Sequence, residues 1–213
     1  MSGFRLSVLL AALSLSGCMM SDPPSRGQSP QSLLIETSQA SGYAVKAVNV
    51  VVPRSLVVSE ANSYKPTADI VWHGDADGDR YGQVKTIVQG AMSRATQGMT
   101  QGRAVVLDVV VTKFHALTQK TRDSIGGKHN LFYTLAVRDA VTGQVLSTSK
   151  VNATVRGAGG ATARAEEVVG RTQKVVITEA LIVSLQQQLG PKSGGVWSMV
   201  SQSARKPALD LPK

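Results

Sequence analysis

From Tyr43 onward, hydrophobic residues fall into short periodic segments divided by Gly, Pro and polar runs. Tyr43 to Val52 is rich in Val and stops at Pro53, which predicts a strand. Leu56 to Val58 and Ile70 to Trp72 predict short extended pieces. Between Gln83 and Gly98, the residues Val84, Ile87, Val88, Ala91, Met92 and Ala95 keep the spacing of a single helical face. Asp79 is placed to cap the start of that helix, and Gly98 or Gly102 to end it. Ala104 to Thr118 predicts a long strand, apolar on both faces through Val111. Asn130 to Asp139 alternates, with Leu131, Tyr133, Leu135 and Val137 on one side. After a turn at Thr142-Gly143, the run from Val145 to Val155 returns with Val145, Ser147, Ser149, Val151, Ala153 and Val155 together. These three strands predict an antiparallel meander. Gly157 to Gly160 then leads into one long helix, Ala163 to Leu189, in which Val168, Val175, Ile182 and Leu189 recur at sevens. Flanking Val169, Val176, Leu181, Val183 and Leu185 make that stripe too wide for a coiled-coil seam, so it suits packing on a sheet.

The predicted fold class is therefore α+β: a mixed four-stranded sheet in the order β-α-β-β-β-α, with two helices on one face. Helices on one face leave the other open. On the meander that open face is expected to carry Phe132, Thr134, Ala136 and Arg138, then Leu146, Thr148, Lys150, Asn152 and Thr154. A polar, basic surface with a few apolar anchors is the make-up of a wet protein contact, and Arg138 and Lys150 are expected to border a partner site. A slip of one residue in parity would exchange the two faces.

The ends read differently. Arg5 precedes an apolar run from Leu6 to Leu15, too short to span a bilayer, and Ser16 and Gly17 lead to Cys18. Cys18 is the one cysteine in 213 residues. Leu15-Ser16-Gly17-Cys18 resembles the bacterial lipobox, which implies acylation of Cys18, cleavage before it and a membrane anchor of several acyl chains. Met19 and Met20 stand where Asp would signal retention in the inner membrane, so the resemblance leans toward the outer one. The expected division is a signal peptide over 1–17, lipidated Cys18 and a Pro/Ser/Gln-rich tether over 18–42, a globular domain over 43–190, and a disordered basic tail over 191–213.

Composition adds two limits. With 42% hydrophobic but only 4% aromatic residues, the core must be mostly Val, Leu, Ile and Ala. A net charge of +9 would suggest nucleic acid in a cytosolic protein. An exported lipoprotein meets anionic lipid, lipopolysaccharide or cell-wall polymer instead, so no nucleic-acid partner is expected.

Candidate chemistry is sparse. His73, Asp75, Asp77 and Asp79 invite a metal reading, but a calcium loop starting at Asp75 needs Gly and Glu where Arg80 and Thr86 stand. Gly157-Ala158-Gly159-Gly160, with Arg156 and Arg164 nearby, lacks the Lys-Ser/Thr of a phosphate loop, and its glycines are read as allowing a sharp turn. His73, His115 and His129 form no motif, and neither a nucleophile elbow nor a zinc-protease pair occurs. The expectation is a non-enzyme, with no cofactor and no metal site. An enzyme would need a pocket gathering those histidines with Asp75 or Asp108.

The middle of the chain carries a closer resemblance. Asp69-Ile70-Val71-Trp72, Gly78-Asp79-Arg80-Tyr81, Gln83-Val84-Lys85, Phe114-His115-Ala116-Leu117-Thr118 and Gly126-Gly127-Lys128-His129-Asn130 resemble an uncharacterised family of small alphaproteobacterial lipoproteins over roughly residues 40–190. Element order alone resembles the N-terminal domain of TolB and the auxiliary lipoproteins of lipid-transport systems. The resemblance implies class and localisation only, an envelope lipoprotein of a family with no established activity. The expected function is a non-catalytic domain that binds a protein partner; the alternative is an accessory to lipid or lipopolysaccharide transport, which would need an apolar groove.

Overall fold

The computed structural model of the chain describes residues 42–190. Cys18 and the segments assigned to signal, tether and tail lie outside the described residues. Those described form strands β1 (Tyr43–Val51), β2 (Ile70–Val71), β3 (Arg103–His115), β4 (Gly127–Asp139), β5 (Val145–Asn152) and β6 (Val155–Gly157). The helices are α1 (Arg80–Ala95), α2 (Gln119–Asp123), α3 (Gly160–Val168) and α4 (Gln173–Leu189). The fold is α+β with a mixed open sheet in the order β1-β3-β4-β5. β1 runs parallel to β3, and β3, β4 and β5 form the expected antiparallel meander. Short β2 continues the β1 edge along the end of β3, and β6 continues the β5 edge along the start of β4.

The α1 face is as its spacing predicts: Val84, Ile87, Val88, Ala91, Met92 and Ala95 are buried. Asp79 caps its start by accepting from the Tyr81 amide at 3.2 Å. Its end falls at Thr96 rather than at a glycine. With α4 it closes over Val105, Leu107, Val109 and Val111 of β3 and Leu131, Tyr133, Leu135 and Val137 of β4. At one end of this core Trp72 is fully buried and meets the Phe114 ring edge-on at 5.8 Å.

Three local expectations are corrected. The long helix is two: Gly170 takes φ +79° and ends α3, and Thr172 starts α4 by accepting from the Val175 amide at 3.3 Å. Left-handed backbone favours glycine, so the chain breaks there although the apolar spacing continues. Val168 is consequently 87% exposed and not part of the packed stripe. The run from Val145 to Val155 is likewise split, with β5 ending at Asn152 and Val155 opening β6. Finally, the β4–β5 register shifts between Val137 and Arg138, which places Val145 opposite Arg138. A bulge inserts one residue and reverses parity beyond it. Leu146 therefore packs against the core, while Val145 is exposed.

Candidate functional site

Among the described residues, the helices leave the second face of the sheet uncovered. Register places Ala47, Asn49 and Val51 of β1, Val106, Asp108 and Val110 of β3, and Phe132, Thr134, Ala136 and Arg138 of β4 together there. Thr148, Lys150 and Asn152 of β5 follow as partners of Ala136, Thr134 and Phe132. Apart from Leu146, exchanged by the bulge, the composition of the face follows from strand alternation.

The two residues expected to border the site have different surroundings. Arg138 Nη2 donates to Asp108 at 2.6 Å, and the other oxygen of that carboxylate accepts from Asn49 Nδ2 at 2.8 Å. The side-chain chain Asn49–Asp108–Arg138 thus crosses three strands and neutralises the centre of the face. Arg138 also keeps its Nε buried without an acceptor among the described residues. Lys150 is exposed and has no ion-pair partner among the described residues.

Other polar candidates hold the fold at the end of the sheet beyond β2. Arg80 is 3% exposed; its guanidinium donates to both Glu60 oxygens at 2.8 Å, to Asp77 at 2.8 Å, to Gln83 at 2.9 Å and to the carbonyls of Asp75 and Ala76. The Arg80 guanidinium holds the Glu60 carboxyl below its ordinary range. Asp75 accepts from Trp72 Nε1 at 2.9 Å and from Lys174. The aspartates that invite a metal reading are therefore tied to Trp72, Arg80 and Arg54, and among the described residues no three His, Cys, Asp or Glu side chains converge as metal ligands. Nothing in the one-dimensional pattern announces Arg80 as the hub, because its partner Glu60 lies in an irregular segment.

The three histidines are dispersed. His115 meets the Pro66 carbonyl at 2.9 Å, and His73 lies in the loop after β2 with its Nε2 buried and without a hydrogen-bond partner among the described residues. His129 is 1% exposed on the helix side of β4, and its Nδ1 accepts from the Leu117 amide at 3.2 Å. Burial first, and the Arg122 charge second, push His129 down to about 4. A neutral imidazole that accepts at Nδ1 and packs on Gly157 fills a structural place. The glycine loop is filled as well: Gly159 packs against the backbone of Ile125 and Gly126, so its amides form no open cradle.

A family model matches residues 43–203, running past Gly190 where the description stops. The chain belongs to DUF6778, a family of unknown function. No curated protein matches it. Among solved structures, this DUF6778 chain is similar to a Xanthomonas campestris protein of family DUF330, with 12% identity over 75% of this chain and 85% of that one and a TM-score of 0.38. It is also similar to PelC, a dodecamer from Paraburkholderia phytofirmans (15% identity, 69% and 88% covered, TM-score 0.34). A third likeness is to a candidate lipoprotein from Caulobacter crescentus (12% identity, 76% and 99% covered, TM-score 0.31). At this distance the likeness carries no functional information.

Proposed function

We propose that this DUF6778 protein is a lipid-anchored protein of the bacterial envelope, facing the periplasm, whose domain binds a protein partner without catalysis. The observation that carries the location is Leu15-Ser16-Gly17-Cys18 at the end of a short apolar run, with the chain's one cysteine at the cleavage position. Met19 and Met20 favour the outer membrane. Among the described residues no helix is long and apolar enough to cross a membrane, so the proposed anchor is the acylated Cys18. The partner surface is the uncovered sheet face, where Val106, Val110, Ala136 and Phe132 supply apolar area and Asp108 is already neutralised by Arg138. The apolar residues supply contact area, and the polar rim sets specificity.

The test is metabolic labelling of the full-length chain with a tagged fatty acid. Wild type should incorporate label at Cys18, and Cys18→Ala should incorporate none and persist as uncleaved precursor. Acylation of the Cys18→Ala chain would refute the anchor. For the partner surface, photo-crosslinkers at Thr134 and Ala136 should capture one envelope protein that a crosslinker at Lys85, on the helix side, does not.

A further inference from the structure

One end of the uncovered face has a distinct character. The segment between β1 and β2 crosses there and walls an open basin of about 670 Å³ against β3 and β4. Lys65, Lys113 and Asn130 line it, with Val57 as its exposed apolar side chain and Pro66 buried in its wall. The wall is fixed rather than loose: Thr118 Oγ1 donates to the Ser63 carbonyl at 2.7 Å, Thr121 Oγ1 to the Tyr64 carbonyl at 2.8 Å, and His115 meets the Pro66 carbonyl. The carboxylate lining the basin, Asp69, is engaged by the Val57 amide at 3.0 Å.

Cations continue outward from the basin. Lys128 of β4 and Arg156 of β6 are register partners, and Lys150 of β5 is opposite Thr134, so strand alternation puts all three on the face that carries Asn130. Among the described residues none of Lys65, Lys113, Lys128, Lys150 and Arg156 forms an ion pair, whereas Arg80, Arg103, Arg122 and Arg138 each hold a carboxylate. Five cations against the one basin carboxylate, Asp69, leave this end of the face net positive, which raises the local potential and attracts anions. An exposed apolar side chain beside ammonium groups suits an amphiphile better than a fully hydrated ion, since the Val57 side chain, 58% exposed, gains from apolar contact.

We propose that the basin binds the phosphate-bearing headgroup of an anionic lipid. The Lys65 and Lys113 ammonium groups would meet the phosphate, the Asn130 amide would donate beside them, and Lys128, Lys150 and Arg156 would hold neighbouring headgroups. This goes beyond the protein-binding reading and does not depend on the acyl anchor, because every residue it uses belongs to the described domain.

The experiment footprints lysines on the full chain with an amine-acylating reagent read by mass spectrometry. The chain is held in neutral maltoside micelles carrying either phosphatidylglycerol or phosphatidylcholine. With phosphatidylglycerol, labelling of Lys65 and Lys113 should fall about fivefold and that of Lys128 and Lys150 by a smaller factor, while Lys85 and Lys174 stay unchanged. In a Lys65→Glu, Lys113→Glu chain that still melts cooperatively, the protection of Lys128 and Lys150 should vanish. Equal labelling in the two micelles, or an equal fall at Lys85 and Lys174, overturns the site. Equal protection by glycerol 3-phosphate alone assigns it to a soluble phosphate, and equal protection by poly-glutamate assigns it to an acidic protein; either result overturns the lipid.

Discussion

Arg80 and Glu60 are joined by a two-pronged ion pair, Nε to Oε1 and Nη2 to Oε2, both at 2.8 Å, across a stretch of irregular chain. The arginine is buried and the glutamate is half-exposed. Planar pairing of this kind needs the guanidinium fork and is lost with Lys. Arg80→Ala should therefore destabilise the domain by about 2–3 kcal/mol, mostly by stranding the Asp75 and Ala76 carbonyls and Gln83. Arg80→Lys should fall between the two in urea denaturation. A loss below about 0.5 kcal/mol for Arg80→Ala would show that the network is not structural.

His129 makes stability depend on pH. Its folded value of about 4 lies below the ordinary 6.5, because burial and Arg122 disfavour the imidazolium. Between those values the unfolded chain binds a proton that the native domain refuses. The stabilisation is therefore complete above pH 6.5 and is lost as pH falls toward 4, by a total of about 3 kcal/mol. His129→Asn keeps an acceptor for the Leu117 amide and removes the titration. Its urea midpoint should vary less over that range than the wild-type midpoint, and parallel curves would count against a neutral buried His129.

Two glycines should respond in opposite directions to alanine. Gly159 packs on the Ile125–Gly126 backbone, so a Cβ there has nowhere to go, and Gly159→Ala should cost about 2 kcal/mol or more. Gly90, inside α1, has nothing within 4 Å of its Cβ position. Gly90→Ala should gain about 0.5–1 kcal/mol from helix propensity alone. Thermal melts of the two variants check both signs.

Charge reversal separates the two residues expected at the partner border. Arg138→Glu places a second carboxylate against Asp108 and should lower stability by about 1 kcal/mol. Lys150→Glu touches no partner among the described residues and should leave the melt within about 0.5 kcal/mol while weakening the crosslinked capture. Full capture by Lys150→Glu would move the partner surface off β5.

A chain cut to residues 43–190 should still melt in one cooperative transition, since every described helix and strand lies within those bounds. The family match runs on to residue 203. Comparing 43–190 with 43–203 therefore checks whether the added segment contributes; equal melting temperatures are expected.

Hydrophobic spacing alone determined the order of the main strands and of α1, the buried face of α1, the meander and the buried side of β4, because each depends on neighbours within one turn or one pleat. Val84, Ile87 and Val88 must share a helical face, and Leu131, Tyr133 and Leu135 a strand face, whatever else the chain does. Tertiary structure decided what depends on long-range closure. Gly170 looks like any helix-interior glycine until packing sets its φ at +79° and divides the final helix. Leu146 turns to the core only because a bulge shifts the β4–β5 register, and a register shift is a property of two strands. Arg138 and Asp108 lie thirty positions apart, and only strand pairing brings them into contact. Arg80 and the lysines around the basin gained their roles in the same way: short-range rules set which face a side chain takes, and only the closed sheet sets which charges meet and which stay unpaired.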